Sequence, residues 1–274
     1  MPKQPDRLQM LTPQPTVDFE PFQEIYKVDF GAGSTNPVLD LFGIGPLQPG
    51  HSELDGLYFK PVLVDRPRHE GVGLRLSLES VGTPGITAGV FATATPLPFD
   101  TRQPFVLQGT YMGPSGPTGP QDGAWAVGII ARSGGVDDLS ANPAVIATLQ
   151  FNPNGAGGTA RLNVPSGAVR ATRQPVPLLP EIYDALLNSL PLLEPFTLTL
   201  YLDRQSDFGS ATLTVAGYPT LSTSFQLQDY LPSSGPAITA VGAVIANQDA
   251  FGLPVFVTVR DFHIWARGSL PTRI

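Results

Sequence analysis

FTLTLYLDR, from Phe196 to Arg204, alternates apolar and polar residues without a break. Phe196, Leu198, Leu200 and Leu202 fall on one side of an extended chain, and Thr197, Thr199, Tyr201 and Asp203 on the other. Successive side chains of a strand point to opposite faces, so this period of two is that of a strand with one buried and one wet face. ATLTVAG, Ala211 to Gly217, repeats the pattern after a short turn. Several such segments, separated by Gly, Pro, Asn and Asp clusters, predict an all-β chain folded as a two-sheet antiparallel sandwich.

Outward from that pair the same reading extends in both directions. A strand is expected at Glu24 to Phe30, and two more at Leu57 to Val64 and Gly73 to Ser80, joined by the charged turn DRPRHEG. In the latter, Leu74, Leu76 and Leu78 are expected to face in. GITAGVFATAT, PFVLQGTYMG and AWAVGIIARSG follow as strands. VIATLQF and TARLNV flank NPNGAGG, whose Asn and Gly suit turn positions with positive φ, so these two segments read as a hairpin. One short helix is expected at Pro180 to Leu190, with Pro at its start, Glu181 near its positive end and Ile182, Leu186 and Leu190 on one stripe. AITAVGAVIAN and PVFVTVRDFHIWA complete the sheets. In the last segment Val257 and Val259 share a parity that Phe262 and Ile264 do not. A bulge near Arg260 and Asp261 would turn both apolar pairs inward and leave His263 and Trp265 outside, sparing Arg260, Asp261 and His263 from burial. Residues 1–20, rich in Pro and Gln, read as an extended arm, and residues 21–274 as one sandwich domain.

Composition narrows the partners. Sixteen Lys and Arg against 23 Asp and Glu give a formal net charge of −7. The only lysines are Lys3, Lys27 and Lys60, and the arginines are dispersed. Phosphate recognition needs clustered cations, so nucleic acid and anionic membrane are not the expected partners. Charged residues make up 14% of the chain, against about 25% in typical globular proteins, which leaves Ser, Thr, Gln and Asn to cover the surface. There is no cysteine, which excludes disulfides and thiolate chemistry. No apolar run reaches the length of a membrane-spanning helix. The first residues lack the apolar core of a secretory signal, which favours a soluble, cytoplasmic reading, although a processed exported form fits the composition too.

The order of segments resembles that of concanavalin A-like sandwiches, the superfamily of legume lectins, laminin-G domains and glucanases. The likeness is carried by FATATPLPFDTRQPFVLQGTYM, by WAVGIIAR, by FTLTLYLDR with ATLTVAG, and by TAVGAVIAN with FVTVRDFHIW, over roughly residues 57–266. It implies two curved antiparallel sheets in a jelly roll, with ligands held on the concave face or at the loops of one rim. The E-x-D-x-x-E nucleophile motif of the glucanase branch is absent, as is a legume-type run of calcium and manganese ligands. No catalytic residue is carried over.

The chemistry-bearing candidates are few. Hydrolysis of a glycan would need two carboxylates about 5 to 9.5 Å apart. Glu79 and Asp203 leave expected strands on the polar side, and Glu53 and Asp55 lie in a Gly-rich loop with His51. Carbohydrate binding combines an aromatic platform with amide and carboxylate groups, which singles out Tyr111, Asp122, Trp125, Tyr201, His263 and Trp265 as ligand-binding candidates on a face or rim. A calcium ion needs several oxygen ligands close together, and Asp137 with Asp138, and Asn247 with Asp249, are the loops that supply them. His51, His69 and His263 have no zinc-site spacing. The Leu- and Pro-rich stretch PVPLLPEIYDALLNSLPLLEP suits a lid over an apolar small molecule or a contact between copies in a homo-oligomer. The leading expectation is a lectin-like binder of a glycan or other neutral ligand. The others are an enzyme on the same scaffold, a glycan-active hydrolase or lyase or a small-molecule cyclase using a carboxylate such as Asp203 or Glu79 as its acid, and a structural or assembly protein.

Overall fold

The computed structural model describes residues 22–30, 73–78, 87–93, 97–112, 125–133, 144–152, 159–163, 176–177, 195–231, 235, 237–247 and 255–267. Thirteen strands run through them: β1 Gln23–Asp29, β2 Leu74–Leu78, β3 Thr87–Ala92, β4 Phe105–Met112, β5 Trp125–Ser133, β6 Ala144–Asn152, β7 Thr159–Asn163, β8 Val176–Pro177, β9 Phe196–Asp203, β10 Phe208–Val215, β11 Leu221–Gln226, β12 Ile238–Asn247 and β13 Val255–Ala266. They form two sheets, one of seven strands ordered β1-β13-β4-β9-β10-β11 with β2 also on β13, and one of six ordered β3-β12-β5-β6-β7-β8. Every pairing is antiparallel. The expected two-sheet sandwich is what the structure shows. A single 3₁₀ turn, Leu227–Asp229, is the helical element among the described residues. The helix expected at Pro180 to Leu190, the strand at Leu57 to Val64 and the arm at 1–20 lie outside them.

The alternation that predicts β9 is met in its packing. Phe196, Leu198, Leu200 and Leu202 are buried between the sheets, where they join Phe105 and Leu107 of β4, Val127, Ile129 and Ala131 of β5 and Val145, Ala147 and Leu149 of β6 in one core. The β9–β10 and β6–β7 pairs run as expected from the turns between them. Tyr111 crosses this core. It is fully buried, stacks on Phe196 with ring centres 5.5 Å apart, and donates its hydroxyl to the Gly128 carbonyl of the facing sheet at 2.8 Å. A side chain at its neighbour Gly109 would collide with that ring, so the bare backbone there makes room for the phenol.

β13 carries the bulge that its sequence predicts. Its pairing with β4 shifts register between Val259 and Asp261, leaving Arg260 extra. Val257 and Val259 are buried before the bulge, Phe262, Ile264 and Ala266 after it, while His263 and Trp265 turn outward. β13 also changes its other neighbour there. β2 pairs with Val255 to Val259, and β1 takes over from Asp261 to Ala266. Gly73 lies against the junction at φ +146°, where any side chain would strike the backbone of Val259 and Arg260.

The outward faces of the two sheets differ in chemistry. On the six-stranded sheet, Ile130, Ala240 and Val244 form a second buried apolar cluster with Ala144 and Ile146 packed against it. On the seven-stranded sheet the outward positions are Thr, Ser, Gln, Asp, Glu, Lys, His, Tyr and Trp, most of them half-buried, with Val106 the buried apolar residue among them. Recognition chemistry is therefore concentrated on the second of these faces.

Candidate functional site

Strand register arranges that face in rows. One row runs Glu24, Trp265, Val106, Tyr201, Ser210 and Ser224 across β1, β13, β4, β9, β10 and β11. The next runs Lys27, His263, Gln108, Thr199, Thr212 and Ser222. The third begins Asp29, Asp261, Thr110, Thr197 and Thr214. Trp265 and Tyr201 thus stand two strands apart, roughly 9.5 Å at the usual strand spacing. Val106 lies between them, fully buried.

Each aromatic ring is braced. Trp265 stacks on His263 with ring centres 5.1 Å apart and planes 9° from parallel. Tyr201 meets Phe22 edge-on at 6.0 Å and Phe208 at 5.9 Å. The Arg267 guanidinium sits 5.2 Å over the Phe22 ring, close enough for a cation–π contact. Between the rings and the sheet centre, Gln108 donates its amide to Thr199 at 3.1 Å, and Thr110 and Thr197 hydroxyls meet at 3.4 Å. Ser210, beside Tyr201, is 8% exposed, and its hydroxyl makes no hydrogen bond.

Charge is held in place on this face. His263 Nδ1 lies 2.5 Å from Glu24 Oε1, and Nε2 lies 3.5 Å from Asp261 Oδ1. The first is a short hydrogen bond, the second a looser charge contact. Burial works against charging the imidazole, but hydrogen bonds and charge from Asp261 and Glu24 outweigh it and lift its pKa above the usual value. Burial likewise opposes ionisation of Asp261, yet His263 and the Thr110 hydroxyl hold its carboxyl below the usual range. At the end of β9, Asp203 accepts the backbone N–H groups of Gln205 at 2.9 Å and Ser206 at 3.2 Å, and the Tyr201 hydroxyl at 3.3 Å. Burial pulls its pKa up, but the Ser206 side chain first, and then these bonds, prevail and lower it. Burial first, and then the Asp203 charge, raise the pKa of Tyr201.

The sequence candidates fall as follows. Tyr201, His263 and Trp265 come together on the face just described. Tyr111, expected at a face or rim, is a correction: its parity with Phe105 and Leu107 sends it into the core, where burial raises its pKa well beyond the usual phenol range. Asp203 is held ionised, the reverse of what a general acid requires. Glu79 lies outside the described residues. Leu78, the described residue before it, pairs with Val255 near the Met112 end of the sheet, whereas Asp203 closes β9 at the Phe105 end. Asp122, Asp137, Asp138 and Asp249 lie outside the described residues, as do Glu53, Asp55 and the Leu-rich stretch that follows β8. Trp125 and Asn247 are placed by backbone alone, opposite one another where β5 meets β12. Among the described residues no group of three or more His, Asp or Glu side chains is arranged to hold a metal ion. Nor is any described helix long and apolar enough to cross a membrane.

Glu24, Asp261, Gln108, Thr199, Ser210, Phe22 and Arg267 complete the site without having been singled out by sequence. Asp261 had only the negative signal of being costly to bury. The others become neighbours through the order β1-β13-β4-β9-β10, which alternation does not encode.

No family model and no curated protein matches the chain. Among solved structures it is similar to a lectin of Bauhinia forficata in complex with GalNAc, at 15% identity over 70% of this chain and 89% of that one, TM-score 0.43. It is also similar to lectin I of Ulex europaeus in complex with the methyl glycoside of α-L-fucose, at 14% identity over 73% and 88%, TM-score 0.45. An alginate lyase from Klebsiella pneumoniae matches at 14% identity over 61% of each chain, TM-score 0.39.

Proposed function

We propose that the outward face of the seven-stranded sheet binds a neutral glycan, and that the protein is a lectin-like receptor without catalytic activity. The observation that carries this reading is the row in which Trp265 and Tyr201, both half-buried and both braced, stand two strands apart. Around them lie the hydroxyls of Ser210, Thr199 and Thr212 and the Gln108 amide. A sugar ring presents an apolar C–H face and a rim of hydroxyls. Aromatic rings receive the first, while short polar side chains fixed on strands exchange hydrogen bonds with the second. The charged groups are already committed to one another: His263 lies between Glu24 and Asp261, and Asp203 holds its own turn. A neutral guest fits such a face better than an ionic one. Catalysis by a carboxylic acid is disfavoured by the same geometry, since Asp203 and Asp261 are both held ionised.

Binding to an array of neutral oligosaccharides, with and without EDTA, tests the reading. Signal abolished by W265A or Y201A is the expected result. A silent array, or signal indifferent to both substitutions, overturns it. The EDTA arm tests calcium at the loops of Asp137, Asp138, Asn247 and Asp249, because loss of signal on chelation assigns the ion a part in binding.

A further inference from the structure

The least ordinary feature of the face is an imidazole with both nitrogens engaged by carboxylates and one ring face engaged by an indole. Nδ1 reaches Glu24 at 2.5 Å, Nε2 reaches Asp261 at 3.5 Å, and the ring lies parallel to Trp265 at 5.1 Å. A neutral imidazole carries one N–H, which the short bond to Glu24 takes, whereas the imidazolium turns a second N–H toward Asp261 Oδ1, a buried oxygen that makes no hydrogen bond. Indole is also the best π partner for a cation held against it. Glu24 comes from β1 and Asp261 from β13, so the ring is fixed from two strands at once. We propose that His263 is a positioning residue: as an imidazolium bridged by Glu24 and Asp261 it sets the plane of the Trp265 ring, and loss of its proton loosens that ring and weakens sugar binding.

The other charges near the ring do not change this assignment. On β1, Lys27 pairs with His263 in register but is exposed and screened, and Asp29 pairs with Asp261. On β13, Arg260 and Arg267 are exposed at the flanks. β4 offers only the uncharged Gln108 and Thr110 beside the ring. The two carboxylates in contact are the groups that decide its proton.

The inference rests on the binding reading for its final step, while its first step is measurable without any sugar. A protonated imidazole stacked on indole quenches the indole emission more strongly than a neutral one. Tryptophan emission of the full chain is therefore followed against pH for the native protein, H263Q and E24Q. The native protein is expected to brighten in one step above the ordinary imidazole midpoint of about 6.5. H263Q should lack the step, and E24Q should keep it with a midpoint lower by about one pH unit. Comparison with H263Q isolates the contribution of Trp265 from that of Trp125. Binding of the strongest array sugar should weaken about fivefold or more across the same pH interval in the native protein and stay level in H263Q. A step that persists in H263Q, a midpoint unmoved in E24Q, or binding that is level through the native step each overturns the proposal. A silent array counts against the glycan reading alone, because the emission step and its E24Q shift are read in the absence of sugar.

Discussion

The Tyr111 hydroxyl and the Gly128 carbonyl, 2.8 Å apart, join the two sheets through the middle of an otherwise apolar core. The donor belongs to β4 and the acceptor to β5, so the bond fixes the spacing between layers at one point. Replacing Tyr111 by Phe keeps the stacking on Phe196 and removes only the bond. The expected cost is about 1 kcal/mol, a fall of about 2–4 °C in Tm, read by thermal denaturation. An unchanged Tm would mean the facing carbonyl is fully served by its own sheet.

Stability should depend on pH through the same imidazole that faces Trp265. His263 has its folded pKa raised, so its contribution is full below the unfolded value of about 6.5 and is lost as pH rises through the folded one. Asp261 and Asp203 have theirs lowered, so their contribution is present above about 3.9 and is lost as pH falls through the folded values. Maximum stability is expected between these limits. In a series of melts against pH, H263Q should flatten the alkaline side and soften only the part of the acid side that Asp261 owes to His263, leaving the Asp203 part in place. Equal flattening of both sides would contradict the assignment.

The junction on β13 separates two effects of one residue. Arg260 is exposed, and R260A should change stability by no more than about 0.5 kcal/mol. Deleting Arg260 removes the extra residue and places Val257, Val259, Phe262, Ile264 and Ala266 on one continuous alternation in the register that β13 already has with β4. That variant should keep the β-sheet circular dichroism of the native protein, and its loss would show that the bulge does more than reconcile parity. G73A should be destabilising, because its φ and the adjacent Val259 backbone both exclude a side chain.

Substitutions on the binding row should affect sugar and stability unequally. W265A and Y201A are expected to reduce glycan affinity about tenfold or more, the loss associated with a central aromatic anchor. The core substitution Y111F should leave that affinity unchanged. Isothermal titration with the strongest array sugar makes the comparison. An equal loss from Y111F would show that the face is not the binding surface.

Much of this architecture is legible in the sequence because the apolar parity is strict. β9, β10 and the hairpin of β6 and β7 follow from alternation and turn residues, and the change of parity between Val259 and Phe262 announces the bulge. β11 is not legible in the same way: Leu221 and Phe225 are its only large apolar residues, separated by Ser and Thr that serve a loop equally well. Tyr111 shows the opposite lesson, since its parity with Phe105 and Leu107 already assigned it inward and its phenol suggested the rim. The site was half visible. Tyr201, His263 and Trp265 carry recognisable chemistry, but Glu24 stands 239 residues from His263, and only the placement of β1 against β13 brings them together.

The position of β13 also bears on how the chain is made. In the seven-stranded sheet it lies between β1 and β4, yet it follows all the other described strands in the chain. During synthesis β1 and β4 must therefore wait, the edges that β13 will fill left open, until the other described strands have left the ribosome. Such long-range pairing is slow, and the waiting edges are where a nascent chain meets its neighbours or its chaperones.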